Sequence, residues 1–188
     1  METVFFNISW MWTNIFLGLL PIIFAAFFIK LKNNLLRTGF FVLWILFLPN
    51  TIYVLTDVQY LPEQLIKADF IIKIILLFQY AFLMMIGVAV FILGLKPIEK
   101  ILRFKFKKNK LIINFSMVVI NFLIAFAVAL GKIQRTESWY IFTDIKRVIA
   151  DSINTITSFQ LMVYVLIFAV LINIIYFYFR KRILNNIF

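Results

Sequence analysis

The sequence predicts an all-α integral membrane protein with five transmembrane helices and an amphipathic helix in the membrane interface ahead of the fifth. Three observations predict it. Of 188 residues, 64% are hydrophobic and 14% are charged, whereas a soluble domain is about 45–50% apolar and about 25% charged. Five uncharged runs cover residues 3–29, 38–56, 74–95, 111–131 and 152–179, and a crossing helix needs about 20 predominantly apolar residues. The 19 Lys and Arg gather between alternate runs instead of being spread evenly. The chain has no linker or low-complexity stretch, so residues 1–188 read as a single transmembrane domain.

Helix 1 is expected at about residues 10–29, with Trp10 and Trp12 at the headgroup level. The segment before it lacks the basic start and small-residue cleavage site of a signal peptide, so it reads as a retained span. Helix 2 is expected at about 39–55 and contains Pro49, which has no N–H to donate and should end or kink it. Stopped at Leu48, the helix would be only about 15 Å long. A kinked helix continuing to Leu55 or a re-entrant segment therefore follows. In the helical form Asn50, Tyr53 or Val54, and Asp57 share a face.

Pro62 at a helix-start position marks a short element near 61–70. Helix 3 is expected at 74–95, with Gly87 and Gly94 on one face permitting close packing within or between chains. Helix 4 is expected at 111–130, and Asn121 is its polar residue nearest the midplane. Beyond it, Ile145, Val148, Ile149, Ile153 and Ile156 fall on one helical stripe. Asp144, Lys146, Arg147 and Asp151 fall largely opposite, with Thr143 as the expected cap. That pattern is the interfacial helix. Helix 5 follows at 157–179.

Orientation follows from the cations. The segments after helices 1, 3 and 5 carry 13 of the 19 Lys and Arg, and they alternate onto one side. Positive charge stays cytoplasmic, so the N-terminus is outside and the C-terminus is cytoplasmic. The same rule, with contact to anionic inner-leaflet lipid, accounts for the net charge of +11 and the run Arg103-Phe104-Lys105-Phe106-Lys107-Lys108 without a nucleic-acid partner. The expected partners are the bilayer, including anionic headgroups, and a membrane-protein partner.

With no Cys and no His, disulfides, thiolate or imidazole metal sites and His-based triads are excluded. Acid–base chemistry would fall to eight carboxylates, the lysines or the tyrosines. No acidic cluster has metal-ligand spacing, and no cofactor or metal is expected. Polar residues are one-sided: Asn14, Asn50, Thr51, Gln79, Thr155, Thr157, Ser158 and Gln160 fall on the outer half. Such groups need partners or water in a bilayer, which points either to interhelical hydrogen bonds or to a cavity open outward.

Two segments carry a family resemblance. Phe47-Leu48-Pro49-Asn50-Thr51-Ile52-Tyr53-Val54-Leu55-Thr56-Asp57 resembles a Phe-x-Pro-Asn-x-x-Tyr-x-x-Thr-Asp motif. Gly131-Lys132-Ile133-Gln134-Arg135-Thr136-Glu137-Ser138-Trp139-Tyr140 partly resembles Gly-Arg-x-x-Arg-x-Asn-Ser-Trp-Asp. Both motifs belong to a bacterial family of multi-pass membrane proteins of unknown function. The chain departs from that family where Val58-Gln59-Tyr60 lacks a His, and where Lys132, Glu137 and Tyr140 replace Arg, Asn and Asp. The resemblance implies the fold and a bacterial cytoplasmic-membrane location, and it implies no activity.

The resulting expectation is an outward-facing polar pocket for a lipid headgroup, an envelope intermediate or a membrane partner. Its candidate ligand-binding residues are Asn50, Tyr53, Asp57, Lys132, Arg135, Glu137 and Trp139, with Asp57 and Arg135 expected to pair. An alternative is an interfacial enzyme on a lipid-linked substrate, with Asp57 or Glu137 as base and Lys132 and Arg135 holding phosphate. A transporter or channel is the second alternative; it needs polar residues at every depth.

Overall fold

The computed structural model describes residues 2–136 and 138–185. They form helices joined by short turns, with no strand among the described residues: α1 Glu2–Lys30, α2 Asn34–Phe47, α3 Asn50–Thr56, α4 Leu61–Lys67, α5 Phe70–Lys105, α6 Lys110–Ala129, α7 Tyr140–Thr143, α8 Ile145–Thr157 and α9 Phe159–Asn185. Five helical stretches are long and apolar enough to cross a membrane, namely Thr3–Lys30, Asn34–Lys67, Phe70–Lys105, Lys110–Gln134 and Phe159–Lys181. The chain forms two compact units, residues 1–94 and 95–188.

Several helices outrun their expected ends. α1 begins at Glu2 instead of near Trp10, which brings Asn7 into the helix. α5 runs ten residues past Leu95 to Lys105 and contains Pro97. Only residues 106–108 are left as a turn before α6. Lys107 and Lys108 have positive φ there, and the Asn109 carboxamide caps α6 by accepting from the Leu111 and Ile112 amides at 3.1 and 3.4 Å.

In residues 1–94, α1 packs along α2 and α3. Aromatic rings fill the α1–α2 seam, with Phe27 stacked on Phe40 at 4.8 Å and Phe24 edge-on to Phe47 at 5.6 Å. At Pro49 the chain keeps right-handed helical dihedrals through Leu48 and Pro49, so the helical form of this segment is the one adopted. Pro49 supplies no N–H for Ile45 O, and the Leu48 amide reaches that carbonyl instead at 3.4 Å. The Pro49 carbonyl then accepts from Ile52 and Tyr53 at 3.2 and 3.1 Å, which restarts the ladder as α3. A 3₁₀ turn over Asp57–Tyr60 leads into α4, with Pro62 in its first turn.

Glycines set the spacing around α3. A Cβ on Gly18 of α1 would lie 3.3 Å from the Asn50 carbonyl oxygen. On α5, a Cβ on Gly87 would lie 2.9 Å from Leu55 Cδ2, and one on Gly94 would lie 3.0 Å from Thr51 Cγ2. The shared face of Gly87 and Gly94 is thus used within the chain, against α3.

In residues 95–188, α6 packs on α9, and α8 contacts α9 and the end of α6. The buried face of α6 includes Ile113, Met117, Asn121, Ile124 and Val128, the periodicity of a helix stripe. α6 ends in a π-helical turn over Leu130–Gln134, closed by Arg135 in the left-handed region at φ 56°. α8 is a helix over Ile145–Thr157. Its cap is Asp144, whose carboxylate accepts from the Arg147 amide at 3.2 Å. The Thr143 hydroxyl expected there donates instead to the Trp139 carbonyl at 3.3 Å.

Candidate functional site

Buried and half-buried polar side chains of residues 1–94 are joined by hydrogen bonds in two groups, one around Asn7 and one at Asp57. Asn7 is fully buried, and all four of its carboxamide bonds are made. Its Nδ2 donates to Gln64 Oε1 at 2.7 Å and to Gln79 Oε1 at 3.2 Å, while its Oδ1 accepts from Gln64 Nε2 at 3.0 Å and Trp10 Nε1 at 3.1 Å. Gln79 in turn donates to the Val4 carbonyl at 3.1 Å. Two turns along α1, Asn14 Nδ2 donates to Asp57 Oδ2 at 2.7 Å. Met11, between the two asparagines, packs with Val54, Tyr80 and Leu83 in a buried apolar layer.

Asp57 is only 2% exposed. It starts the 3₁₀ turn after α3, so the Pro49 restart and the glycine contacts around α3 fix where this carboxylate enters the unit. Asn50 and Tyr53 lie on α3 and are half-buried. Trp10, expected as a lipid anchor, has its indole N–H turned to Asn7, while Trp12 is exposed.

The second motif lies in residues 95–188. Lys132 is half-buried in the π turn, and Arg135 and Trp139 are exposed; Glu137 lies outside the described residues. The bonds that order this loop come from Thr136 and from Arg147 and Asp151 of α8, none of which was a candidate site residue. Thr136 Oγ1 donates to Asp151 Oδ2 at 2.5 Å, and Arg147 Nη2 donates to the Arg135 carbonyl at 3.4 Å. Arg147 Nε is 3.6 Å from Asp151 Oδ2, an i, i+4 pair, and its guanidinium lies 4.8 Å over the Tyr140 ring. No group of three or more metal-ligating side chains occurs among the described residues.

These elements have a match. The model of a family described as a protein of unknown function (DUF1361) fits residues 12–175. The chain belongs to the DUF1361 family. No curated protein and no solved structure matches it. The DUF1361 match takes in both motifs and leaves Asn7, Trp10, Tyr176 and Arg180 outside its limits.

One cluster within this DUF1361 chain was not anticipated. Glu99 on α5 is 3% exposed. Its Oε1 accepts from Arg103 Nε at 3.0 Å and Arg103 Nη2 at 2.5 Å, with Arg180 Nη1 at 3.8 Å, and its Oε2 accepts from the Tyr176 hydroxyl at 2.5 Å. Arg180 Nη1 also donates to Asn114 Oδ1 at 3.1 Å. Its guanidinium lies 5.6 Å over Tyr176 and 5.0 Å over Phe177. The sequence did hold a signal: Glu99 is the one acid among seven cations in residues 96–110, and it stands four residues before Arg103.

Proposed function

We propose that this DUF1361 protein is a binding protein of the bacterial cytoplasmic membrane, with an outward-facing polar pocket at Asp57 that takes a lipid headgroup, a lipid-linked envelope intermediate or a membrane partner. The observation that carries the reading is the nearly complete burial of the Asp57 carboxylate, hydrogen-bonded to Asn14, in a largely apolar helical unit. Ionised groups in membrane spans are costly and tend to mark sites of function. The network of Asn7, Gln64 and Gln79 supports it by holding the surrounding helices in one arrangement. Lys132, Arg135 and Trp139 are proposed as headgroup contacts of the second outward loop, since Arg and Lys suit phosphate and Trp suits the interface.

The proposed topology places the N-terminus outside and the basic turns in the cytoplasm, on the strength of the cation distribution. α8 is proposed to lie in the outer interface. Its Ile145, Ile149, Ile153 and Ile156 are all exposed, a stripe suited to the acyl boundary.

Native mass spectrometry of gently extracted protein tests the pocket. A lipid or envelope intermediate is expected to stay with the wild type and to be lost from Asp57→Asn, which keeps the side-chain shape and removes the charge. Identical annular lipid on both proteins would mean that the Asp57 network only holds helices together.

A further inference from the structure

We propose that Arg103 and Arg180, positioned by the buried Glu99, form a binding site for the phosphate of an anionic phospholipid. This proposal uses none of the residues of the Asp57 reading and does not depend on it. The charge balance starts the argument: two guanidiniums and one carboxylate leave a net positive charge, and Lys96 and Lys100 flank Glu99 on the same helix. Glu99 uses both oxygens on Arg103, Arg180 and Tyr176. It therefore fixes the arginines without consuming them.

Each guanidinium carries five N–H donors. Arg103 directs Nε and Nη2 to Glu99, which leaves its Nη1 donors for another acceptor. Its side chain is 46% exposed. Stacking on Tyr176 and Phe177 and the bond to Asn114 hold the plane of Arg180. A pre-set fork of this kind matches phosphate oxygens with little ordering cost.

The place of the arginines identifies the phosphate's carrier. Arg103 is in the last turn of the Phe70–Lys105 span, Arg180 is next to the end of Phe159–Lys181, and Asn114 is in the second turn of Lys110–Gln134. Three spans thus present these groups near their ends, where headgroups lie. Beside Arg103, Phe104 is 91% exposed, and Leu111 at the start of the next span is exposed as well. They offer apolar surface to acyl chains, which a free phosphate could not use.

The test is thermal unfolding of the full chain, purified in detergent and delipidated, with added phosphatidylglycerol, phosphatidylcholine or inorganic phosphate at equal concentration. Phosphatidylglycerol is expected to raise the melting temperature clearly more than the other two. That shift should fall at least threefold in Arg103→Gln and persist in the Lys107→Gln, Lys108→Gln double variant, which removes twice the charge from the neighbouring turn. Should Arg103→Gln fail to fold, Arg103→Lys keeps the charge without the fork and is expected to lose at least half of the shift. Equal shifts with phosphatidylcholine, a full response to inorganic phosphate, undiminished shifts in the Arg103 variants, or an equal loss in the lysine double variant would each overturn the site.

Discussion

Asn7 and Asn121 are both fully buried asparagines in apolar helices, and their surroundings assign them different energetics. Asn7 makes every bond its carboxamide allows. Asn121 donates Nδ2 to Asn173 Oδ1 at 3.0 Å, while its own Oδ1 is buried without a partner. An unsatisfied buried acceptor costs about 1–3 kcal/mol, and an interhelical hydrogen bond in a bilayer returns about 0.6–2 kcal/mol. Asn121→Val removes the orphan and the bond together, so its stability is expected within about 1 kcal/mol of wild type. Asn173→Val strands both ends of the Asn121 carboxamide and is expected to cost about 2–3 kcal/mol. Unfolding in detergent micelles measures both; equal losses would mean that a donor such as a buried water reaches Asn121 Oδ1. The legibility of such residues was uneven. Asn14, Gln79 and Asp57 stood out because they interrupt apolar runs. Asn7 and Gln64 did not, because the first span was expected to begin after Asn7 and Gln64 lies in a short element outside the spans. Glu99 read as one charge in a basic loop, since its burial depends on Tyr176 and Arg180, which are far from it in sequence.

At the scale of elements, α3 is the most constrained segment of residues 1–94. Pro49 starts it, Thr51 Oγ1 returns a hydrogen bond to the Leu48 carbonyl at 2.7 Å, and Thr56 Oγ1 does the same to Tyr53 at 2.6 Å. These side-chain bonds cover carbonyls that have no water to turn to in a bilayer. Gly18, Gly87 and Gly94 let α1 and α5 approach it closely. Gly87→Ala places a methyl 2.9 Å from Leu55 Cδ2 and 3.4 Å from Val54 Cγ1, and both of those residues are buried. Overpacking of this kind costs about 1–3 kcal/mol. Gly39→Ala on α2 meets nothing within 4 Å and should be neutral or gain about 0.5–1 kcal/mol of helix stability. Thermal denaturation of the two variants side by side checks the contrast, and a tolerated Gly87→Ala would mean that α3 and α5 separate easily. The break at Pro49 and the shared face of Gly87 and Gly94 were legible because each follows from one residue's stereochemistry. The continuation of α5 through Pro97 was not, since a proline and a cluster of lysines also describe a loop. The Glu99–Arg103 pair, which supports that extra helix, shows itself only once the helix is there.

For the whole molecule, five long apolar helices fix an odd number of crossings if each one spans, so the two ends of the chain would face opposite sides. Which end is which depends on charge alone. Lys105 ends α5 and the turn after it holds Lys107 and Lys108, while the segment around α4 carries Glu63 with Lys67 in an exposed i, i+4 pair at 2.6 Å. Retention of cations on the cytoplasmic side is a bias of insertion that operates on short loops, and every loop here is short. The chain has no Cys, so each introduced thiol is the only one present and can be read without a background. In intact cells a membrane-impermeant thiol reagent is expected to label Glu63→Cys and Lys146→Cys and to spare Lys107→Cys until the membrane is opened. Labelling of Lys107→Cys alone would invert the proposed topology, carry the Asp57 region to the cytoplasmic side and overturn the proposal of an outward-facing pocket. The phospholipid site at Arg103 and Arg180 would survive that inversion, because it rests on position near the ends of spans and on net charge, and anionic lipid can occupy either leaflet. Labelling of Glu63→Cys without Lys146→Cys would break the alternation itself. It would mean that one of the helices between them, α5 or the Lys110–Gln134 stretch, does not cross.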